Sequence, residues 1–544
     1  MPYDSGSAYG SARFADAHDI ARAGLLKTGG LLEFSRLGRR SLWHHDRTAI
    51  LIKGGAGSGK TTSVLLPMLL SKRANVAMID VKGELTAVLM DGLVHRGTSL
   101  LSFNPYRLHG LPAQRVSLLS HLKPNSPYLV GDSRRLWQAI LPDISGAQNR
   151  FFDEKGRQWG DAITRALVFQ RGDVSLASLY ETICLVRADW DAFVDWAADA
   201  VAVSPPDIEA VFGELIGMNT GEARTFDSVM SGITAALGFM ADPALRACLP
   251  GDEPGAVRLD ALTSGEGQTF FAIILPPEFI TIYAPLVRLI LSCISTAKQR
   301  APHAAPMLMV IDEAARLGSF PELAELPAIG RGYGLVPVLT YQDDGQIALN
   351  LGPHGATTLS ANAGIELYLG GGIRDLATAT ALSRRLGNQT ITLIDPLTRA
   401  RGEFARREAL RQVMIEGADP VRTGHELRRA AVEAQHESRH SRALLEPSEV
   451  LGLPGDKTLV LAGGYELPPF LADKVPYFLR REFAGRVFPN PYVQRDMSTL
   501  RVPGLFGMRT KRIIEAPVPS WAAHLPQYDD GRPLRYVEGY RPCA

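Results

Sequence analysis

The sequence predicts an α/β protein with a mainly parallel sheet and an inserted all-α domain, and three observations support this. Short apolar runs alternate with helically spaced apolar residues over residues 45–123, and this alternation returns over residues 261–488. A glycine-rich loop joins the first buried run to a helix. Between residues 124 and 260 the strand-like runs disappear and helical spacing dominates. Strands that alternate with helices favour a parallel sheet, and the change in pattern marks the insertion.

Length and composition agree with a multidomain globular protein. The 544 residues are 46% hydrophobic and 21% charged, which allows two or more domains with their own cores. We divide the chain into an N-terminal segment (1–44), a first sheet part (45–123), an all-α insertion (124–260), a second sheet part (261–488) that contains a charged helical segment (399–445), and a C-terminal tail (489–544).

Charge and cysteine usage exclude several classes of protein. The net charge of +1 provides no global basic field, so any nucleic-acid surface must be local, such as a channel lining. Four cysteines without CxxC spacing argue against a metal site or a disulfide framework and favour a reducing compartment. No stretch is long and apolar enough for a membrane-spanning helix, and the polar N-terminus does not resemble a signal peptide.

The first buried run, residues 49–52, leads into GGAGSGKT, which fits the G-x-x-x-x-G-K-T phosphate-binding loop between a strand and a helix. Glycines let backbone N–H groups wrap the phosphates, and the helix beginning near Thr62 points its positive end at them. Lys60 can reach the β- and γ-phosphates, and the Thr61 hydroxyl can hold Mg²⁺. The residues expected to contact the nucleotide are Gly54, Gly55, Ala56, Gly57, Ser58, Gly59, Lys60, Thr61 and Thr62.

An acidic strand is the expected partner of this loop. The apolar run of residues 307–311 ends in Asp312 and Glu313, at the strand end where α/β sheets bind ligands. Asp312 would hold Mg²⁺, directly or through water, and Glu313 would polarise the attacking water. The alternative is a strand that ends in a solvated acidic turn.

Further strands and candidate residues surround these two motifs. Strands are predicted over residues 75–80, 99–103, 269–275, 335–340, 365–369, 390–393 and 458–462. Asp80 either caps the following helix or acts near the nucleotide, and Gln342 is either a turn residue or a sensor of the γ-phosphate. Pro337 argues against a fully central strand over 335–340. Arg331 follows a helix predicted over residues 321–326, within a glycine-flanked turn. This turn would carry Arg331 towards the domain edge, or the residue is simply a solvated arginine.

The remaining segments are predicted from spacing and composition. Residues 1–7 form a disordered lead, a helix covers 15–26, and a strand and turn cover 31–43. Four tryptophans in the insertion serve as core or as a base-stacking platform; these are Trp137, Trp159, Trp190 and Trp196. Residues 399–442 form solvated, charge-paired helices or a docking surface. The tail after Pro489 is extended chain on the surface or partly disordered.

These motifs together resemble the type IV secretion coupling proteins of the TraG/TraD class, a branch of the FtsK/HerA-type hexameric motor ATPases. The matching segments cover most of the chain in the family's order; they are residues 10–15, 54–61, 80–84, 103–105, 312–318, 330–334, 342–343, 362–364 and 382–387. The family's all-α domain also lies between the two nucleotide motifs.

The resemblance implies a RecA-like P-loop domain that hydrolyses ATP with Mg²⁺ and is stimulated by DNA. It places Arg331 at the family's trans-acting arginine and Gln342 at the glutamine that couples the nucleotide to DNA movement. The implied partners are DNA bound without sequence preference, a relaxase, secretion components and further copies of the chain, as a hexamer when active and a monomer at rest.

Most members of the family begin with a membrane anchor, whereas this sequence opens near the start of the soluble portion. We therefore expect a protein in the cytoplasm or peripheral to the cytoplasmic face of the bacterial inner membrane. Two other functions stay open at this point: a DNA motor unconnected with secretion, and a docking receptor that uses nucleotide only as a switch.

Overall fold

The computed structural model describes residues 9–142, 150–263, 269–393, 396–415, 425, 428, 438–504 and 507–543. Within these residues, eleven strands form one sheet in the order β2-β1-β15-β14-β11-β3-β10-β9-β4-β8-β5. Their bounds are β1 Leu32–Leu37, β2 Arg40–His44, β3 Ala49–Lys53, β4 Asn75–Asp80, β5 Ser99–Phe103, β8 Thr269–Ile274, β9 Met307–Ile311, β10 Leu335–Tyr341, β11 Ala363–Leu369, β14 Lys457–Leu461 and β15 Phe470–Asp473.

The sheet is parallel at its centre. Every neighbouring pair from β11 through β3, β10, β9, β4 and β8 to β5 is parallel, whereas β14, β15, β1 and β2 extend the sheet in antiparallel fashion. Strands β3, β4, β9 and β10 are buried along their whole length. This burial explains their continuous apolar sequences, because helices cover both faces of such a sheet.

Seventeen α-helices have defined bounds within the described residues. They are α1 Ala17–Arg22, α2 Leu66–Ser71, α3 Glu84–Leu93, α4 Leu129–Ile140, α5 Arg150–Arg171, α6 Leu176–Ala188, α7 Trp190–Ala202, α8 Pro206–Gly221, α9 Ala223–Ala236, α10 Pro243–Cys248, α11 Ala284–Arg300, α12 Glu322–Tyr333, α13 Asp344–Leu351, α14 Gly355–Asn362, α15 Leu376–Leu386, α16 Pro396–Met414 and α17 Pro447–Leu451. Across the same residues, every helix is too short or too polar to span a lipid bilayer.

Helices α4–α10 form the predicted all-α region. The chain enters and leaves it through two short parallel strands, β6 (Val116–Ser117) and β7 (Val257–Arg258), which pair side by side. The two ends of the segment are therefore adjacent, as an insertion into a sheet domain requires. The exact boundaries at 124 and 260 stay a prediction.

The tryptophans of this region belong mainly to its core. Trp137 and Trp159 are fully buried, and the Trp137 indole N–H donates to Thr164 Oγ1 at 2.9 Å. Trp190 and Trp196 are partly exposed, with ring centroids 5.7 and 5.6 Å from that of Phe193. The core interpretation therefore holds for the first pair, and the second pair packs around a buried phenylalanine.

One expectation about the second sheet part holds and another is wrong. Strand β10 lies between β3 and β9, but only its later residues are paired on both sides, as Pro337 indicated. The ladder with β9 covers residues 335–339, whereas the ladder with β3 begins only at Val338, after the proline. The predicted turn around Arg331 is wrong, because α12 continues to Tyr333 and ends at Gly334, whose φ of +74° suits a helix C-cap.

The C-terminal tail is not extended chain. Strands β16 (Thr499–Gly504), β17 (Gly507–Ala516) and β18 (Leu534–Val537) form an antiparallel sheet. Gln527 accepts a hydrogen bond from Leu100 N at 2.9 Å and donates one to Thr98 O at 3.0 Å. The tail thus covers the edge strand β5, which would otherwise present unpaired backbone groups.

Other elements differ from prediction in extent or lie outside the described residues. The N-terminal helix is shorter than expected, because α1 covers only Ala17–Arg22. The predicted lead over residues 1–7 lies outside the described residues, as does most of 416–437 within the charged segment. The remaining two-stranded sheet joins β12 (Asn388–Leu393) to β13 (Ser438–Ala443). All four cysteines are free thiols, as their spacing indicated.

The contact between α4 and α5 yields a first prediction. A Cβ on Gly160 would lie 2.3 Å from the buried ring of Trp137, so Gly160→Ala should overpack this contact and destabilise the protein by about 1–3 kcal/mol. Thermal unfolding measures the effect. Gly217→Ala on α8 is the control, because its Cβ would meet nothing within 4 Å and should raise the unfolding temperature slightly or leave it unchanged. Equal unfolding temperatures for the two variants would contradict the packing described.

Candidate nucleotide-binding site

The carboxyl ends of β3, β4, β9 and β10 open into one cleft of about 370 Å³. Its walls include every residue predicted for the phosphate loop except Gly54, together with Asp80, Asp312, Glu313 and Gln342. The sequence separates these groups by the whole all-α region, and the parallel register brings them together. This convergence follows from the rule that parallel α/β sheets bind ligands at the carboxyl edge.

The phosphate loop has a backbone that strongly favours glycine at several positions. Gly57 and Gly59 have φ angles of +76° and +84°, in the left-handed region. A Cβ on Gly54 would lie 2.8 Å from Ser58 Oγ. The helix that follows starts at Lys60 with a π-wound first turn and continues as α2. Its amino end therefore faces the loop, in the arrangement suited to an anion.

The side chain of Lys60 contacts the backbone of its own phosphate loop. Its Nζ donates to Gly54 O at 2.8 Å. Burial lowers the pKa of Lys60, while the nearby carboxylates of Asp312, Glu313 and Asp343 act in the opposite direction. The ammonium group is thus held between the phosphate loop and the acidic end of the sheet.

The two acidic residues after β9 are oriented by a single hydroxyl on β10. Thr340 Oγ1 donates to Asp312 Oδ1 at 2.8 Å and accepts from Glu313 N at 2.9 Å. Glu313 has a φ of +53°, unusual for a residue with a side chain, and it forms an ion pair with Arg316. Burial raises the pKa of Asp312. The alternative of a freely solvated acidic turn does not fit this fixed geometry.

Asp80 contacts the first turn of α3 and lines the cleft, but it is not the N-cap of that helix, which is Gly83. Its carboxylate accepts from Thr86 N at 2.7 Å and Thr86 Oγ1 at 2.8 Å, which satisfies the first turn of α3. Burial raises the pKa of Asp80 to about 6, and the charge of Asp312 adds to the increase. Asp80 therefore supports a helix end while it lines the cleft beside the second carboxylate.

The donor set fits a magnesium ion. Asp312 and the Thr61 hydroxyl line the same cleft and supply the hard oxygen ligands that Mg²⁺ prefers. No cluster of three or more His, Cys, Asp or Glu residues with metal-site geometry occurs in the described part of the chain. Magnesium at phosphate sites is commonly bound by one or two protein groups together with the phosphates.

Gln342 and Arg331 lie at opposite ends of the sheet. Gln342 follows β10 into the cleft, where its backbone N–H donates to Gln346 Oε1 at 3.0 Å. Arg331, in the last turn of α12, is 64% exposed and pairs with Asp46 at 3.0 Å, before the start of β3. A five-residue strand covers about 16 Å, so Arg331 is remote from the phosphate loop of its own chain.

Three residues that position the site were missed in the sequence. Thr340 was part of a predicted strand without a role. Lys474 donates from Nζ to Ser58 O at 2.7 Å and to Gly370 O at 2.8 Å, so it supports the phosphate loop from beyond β15. Lys53, the last residue of β3, is buried and forms an ion pair with Asp344 at 2.6 Å. Lys53 can be recognised in the sequence as a charged residue at the end of an apolar strand. No local sequence pattern indicates a role for Lys474.

Comparisons with known proteins agree with this geometry. A family model described as type IV secretory system conjugative DNA transfer matches residues 13–400. Protein VirD4 from Rhizobium radiobacter is 20% identical over 514 residues, which cover 91% of this chain and 67% of the relative. Conjugal transfer protein TraG from Escherichia coli is 24% identical over 374 residues, with 62% and 58% covered. The type IV secretion system-coupling protein VirD4 of Bartonella henselae is 26% identical over 229 residues, with 42% and 31% covered.

Solved structures show the same fold. The unbound monoclinic form of the bacterial conjugative coupling protein TrwB has a TM-score of 0.60 at 15% identity, with 87% of this chain and 96% of that chain covered. The plasmid coupling protein TrwB in complex with ADP and Mg²⁺ has a TM-score of 0.59 at 16% identity, with 86% and 94% covered. The predicted α/β fold with its RecA-like P-loop domain and helical insertion is confirmed.

The close approach of Gly372 to the phosphate loop yields a second prediction. A Cβ at this position would lie 2.5 Å from Ser58 Cβ and 3.0 Å from Gly55 N. Gly372→Ala should push the loop out of position and weaken binding of Mg²⁺–ATP about tenfold or more, as expected for about 1–3 kcal/mol of strain. Titration calorimetry measures the affinity. Gly455→Ala, whose Cβ would meet nothing within 4 Å, should bind like wild type; equal weakening in both would refute the steric argument.

Proposed function

The chain belongs to the family of conjugative DNA transfer proteins of type IV secretory systems, and from this membership we propose that it is an ATP-driven coupling protein. In this proposal it recruits DNA or relaxase–DNA substrates and helps to translocate them into a type IV secretion channel. The names of its relatives, which include conjugal transfer and secretion-coupling proteins, support this assignment. We place it in the cytoplasm or at the cytoplasmic face of the inner membrane.

One observation carries the enzymatic part of the proposal. Lys60, Asp312, Glu313 and Gln342 meet in a single cleft beside a complete phosphate loop. A receptor that only binds nucleotide does not need a carboxylate held ready to polarise water, whereas an ATPase does. The fixed Thr340–Asp312–Glu313 arrangement therefore favours hydrolysis over a pure switch.

Each residue has a distinct task in the proposed reaction. Lys60 and the backbone N–H groups of the loop bind and orient the β- and γ-phosphates of ATP. Thr61 and Asp312 would hold Mg²⁺, which would neutralise charge on the phosphates. Glu313 orients a water molecule against the γ-phosphate, and Gln342 lies where it can contact that phosphate or the water.

The position of Arg331 supports a site shared between subunits. Because this arginine lies at the amino end of β3, it can reach a phosphate loop only in a neighbouring copy. Arginine suits the task because its fork stays charged and can stabilise the transferring phosphoryl group. We therefore propose that the active form is a homo-oligomeric ring, a hexamer by analogy with the family, assembled from chains that rest as monomers.

The DNA-dependent part of the proposal is tested by ATP turnover with and without DNA. The purified chain should hydrolyse ATP faster in the presence of single- or double-stranded DNA of any sequence, since the proposed contacts are local and not sequence-specific. Pull-down of a relaxase then separates a secretion coupling protein from a DNA motor of another kind. ATP turnover that DNA never stimulates would argue for the nucleotide-switched receptor instead.

The acidic pair yields a third prediction, measured by nucleotide binding and turnover. Glu313→Gln should bind Mg²⁺–ATP like wild type and lose hydrolysis, because an amide does not polarise water as a carboxylate does. Asp312→Asn should weaken the magnesium-dependent part of binding, and Lys60→Ala should abolish hydrolysis while the fold is retained. Indistinguishable nucleotide affinities in the Glu313 and Asp312 variants would contradict this division of roles.

Arg331 yields a fourth prediction, tested by mixing variants. Arg331→Ala should bind ATP normally and hydrolyse it about 10³-fold or more slowly, the range expected for an arginine finger. Mixed with Lys60→Ala, it should recover activity, because an intact loop of one subunit can meet an intact arginine of the next. Arg134→Ala is the matched control, an exposed, ion-paired arginine on α4 that should leave turnover unchanged. If the mixtures stay inactive and specific activity is flat across protein concentration, Arg331 does not act in trans.

A further inference from the structure

A second, mostly apolar cavity of about 410 Å³ adjoins the phosphate cleft. Thr62, the last residue of the nucleotide-contacting set, lines both spaces. The rest of the cavity wall comes from residues 477–508, beyond residues 13–400 matched by the family model. Aromatic and aliphatic side chains dominate it, including Tyr477, Phe478, Phe483, Val487, Phe488 and Leu500.

Direct contacts fix this C-terminal wall against the phosphate cleft. Asn490 Nδ2 donates to Glu84 Oε1 at 2.5 Å, and Glu84 lines the cleft. The Tyr492 hydroxyl donates to Lys82 O at 3.2 Å, in the loop after β4. The wall of the cavity is therefore held against the phosphate cleft, with Thr62 between the two spaces.

Apolar side chains at the cavity mouth are exposed to solvent. Phe478 is 40% exposed, Leu479 52% and Val493 77%. An exposed cluster of large apolar groups is unfavourable in water and marks a surface that a ligand or partner covers. A planar aromatic ligand would cover this one and gain stacking with the phenylalanine ring.

A polar group inside the cavity identifies the chemistry of the ligand. Gln494 lines the cavity, and its Oε1 is buried without a hydrogen-bond partner among the described residues. The backbone N–H of Gln494 donates to Asn490 O at 2.9 Å, which holds this residue in a turn against the cleft. A buried carbonyl oxygen without a donor is unfavourable, so a ligand that brings an N–H group is stabilised there.

We propose that this cavity binds the adenine base of ATP, with the ring against Phe478 and the exocyclic amine donating to Gln494 Oε1. The inference rests on the proposed function, because it assumes that the triphosphate occupies the adjoining loop. Thr62 is then the residue at which the phosphate and base halves of the site meet. The cavity volume is in the range of small-molecule sites.

The test measures separately how the base and the phosphates of ATP contribute to binding. Competition against a fluorescent ATP analogue, with Mg²⁺ present and at low temperature to slow hydrolysis, would give affinities for ATP, inorganic tripolyphosphate and purine riboside triphosphate, which lacks the exocyclic amine. Gln494→Leu and Phe478→Ala should each weaken ATP binding about threefold to tenfold, as expected for one hydrogen bond or one stacked ring. Tripolyphosphate affinity should not change in either variant. Val203→Ala, an exposed apolar residue of the helical region, is the control.

The amine-free nucleotide tests the hydrogen bond itself. Wild type should prefer ATP over purine riboside triphosphate, and this preference should disappear in Gln494→Leu but persist in Phe478→Ala. Unchanged ATP affinity in both variants, or equal loss of ATP and tripolyphosphate, would overturn the base site. Tripolyphosphate binding that is retained while the base site fails would leave the proposed phosphate loop intact. Wild-type protein that binds neither ligand would instead overturn the proposed function.

Discussion

The buried ammonium group of Lys53 holds together two strands and a helix on which the site depends. It is 1% exposed at the end of β3, with Nζ 2.6 Å from Asp344 Oδ1 and 3.2 Å from the Tyr368 hydroxyl. Glu366, 3.8 Å from the same nitrogen, is shared with Arg385. A buried charge is stable only when it is paired, so this cluster fixes the end of β3, the start of α13 and strand β11 in one arrangement. The phosphate loop follows Lys53 directly and Gln342 precedes Asp344 by two residues, so both functional segments take their positions from it.

The same cluster reaches towards the opposite end of the sheet. Glu366 and Arg385 line the cavity that also contains Arg331 and Thr48, where β3 begins. The parallel sheet thus has two polar ends, a phosphate-binding end and an arginine-bearing end, separated by the length of a buried strand. One subunit cannot bring these ends together without breaking its sheet. In the proposed ring, the phosphate-binding end of one copy would meet the arginine end of the next, and neither sheet would have to break.

Local sequence was sufficient for the phosphate loop and the acidic strand, since both are continuous motifs between apolar runs. It failed for α12, where Gly330 and Gly332 suggested a turn. A Cβ at position 330 would lie 2.5 Å from Leu335 O. Gly330 therefore allows α12 to pack closely against β10, and it does not end the helix. It also failed for the tail, whose composition resembles a loop. The contacts of Gln527 with the edge of β5 join residues more than 400 positions apart, and no local pattern encodes them.

The C-terminal chain packs directly against the backbone of helix α3 in the nucleotide-binding domain. A Cβ on Gly92 of α3 would lie 1.9 Å from Arg486 O, and Phe488 N donates to Val88 O at 3.0 Å on the same helix. Helix α3 is also the helix whose first turn is satisfied by Asp80. The cavity next to the phosphate loop is therefore anchored to the same helix as one wall of the cleft. The predicted phosphate-binding and hydrolytic groups lie within residues 13–400, and later residues supply most of the second cavity. If the proposed base site is correct, substitutions in the C-terminal chain would alter selectivity for the base while the hydrolytic groups stay in place.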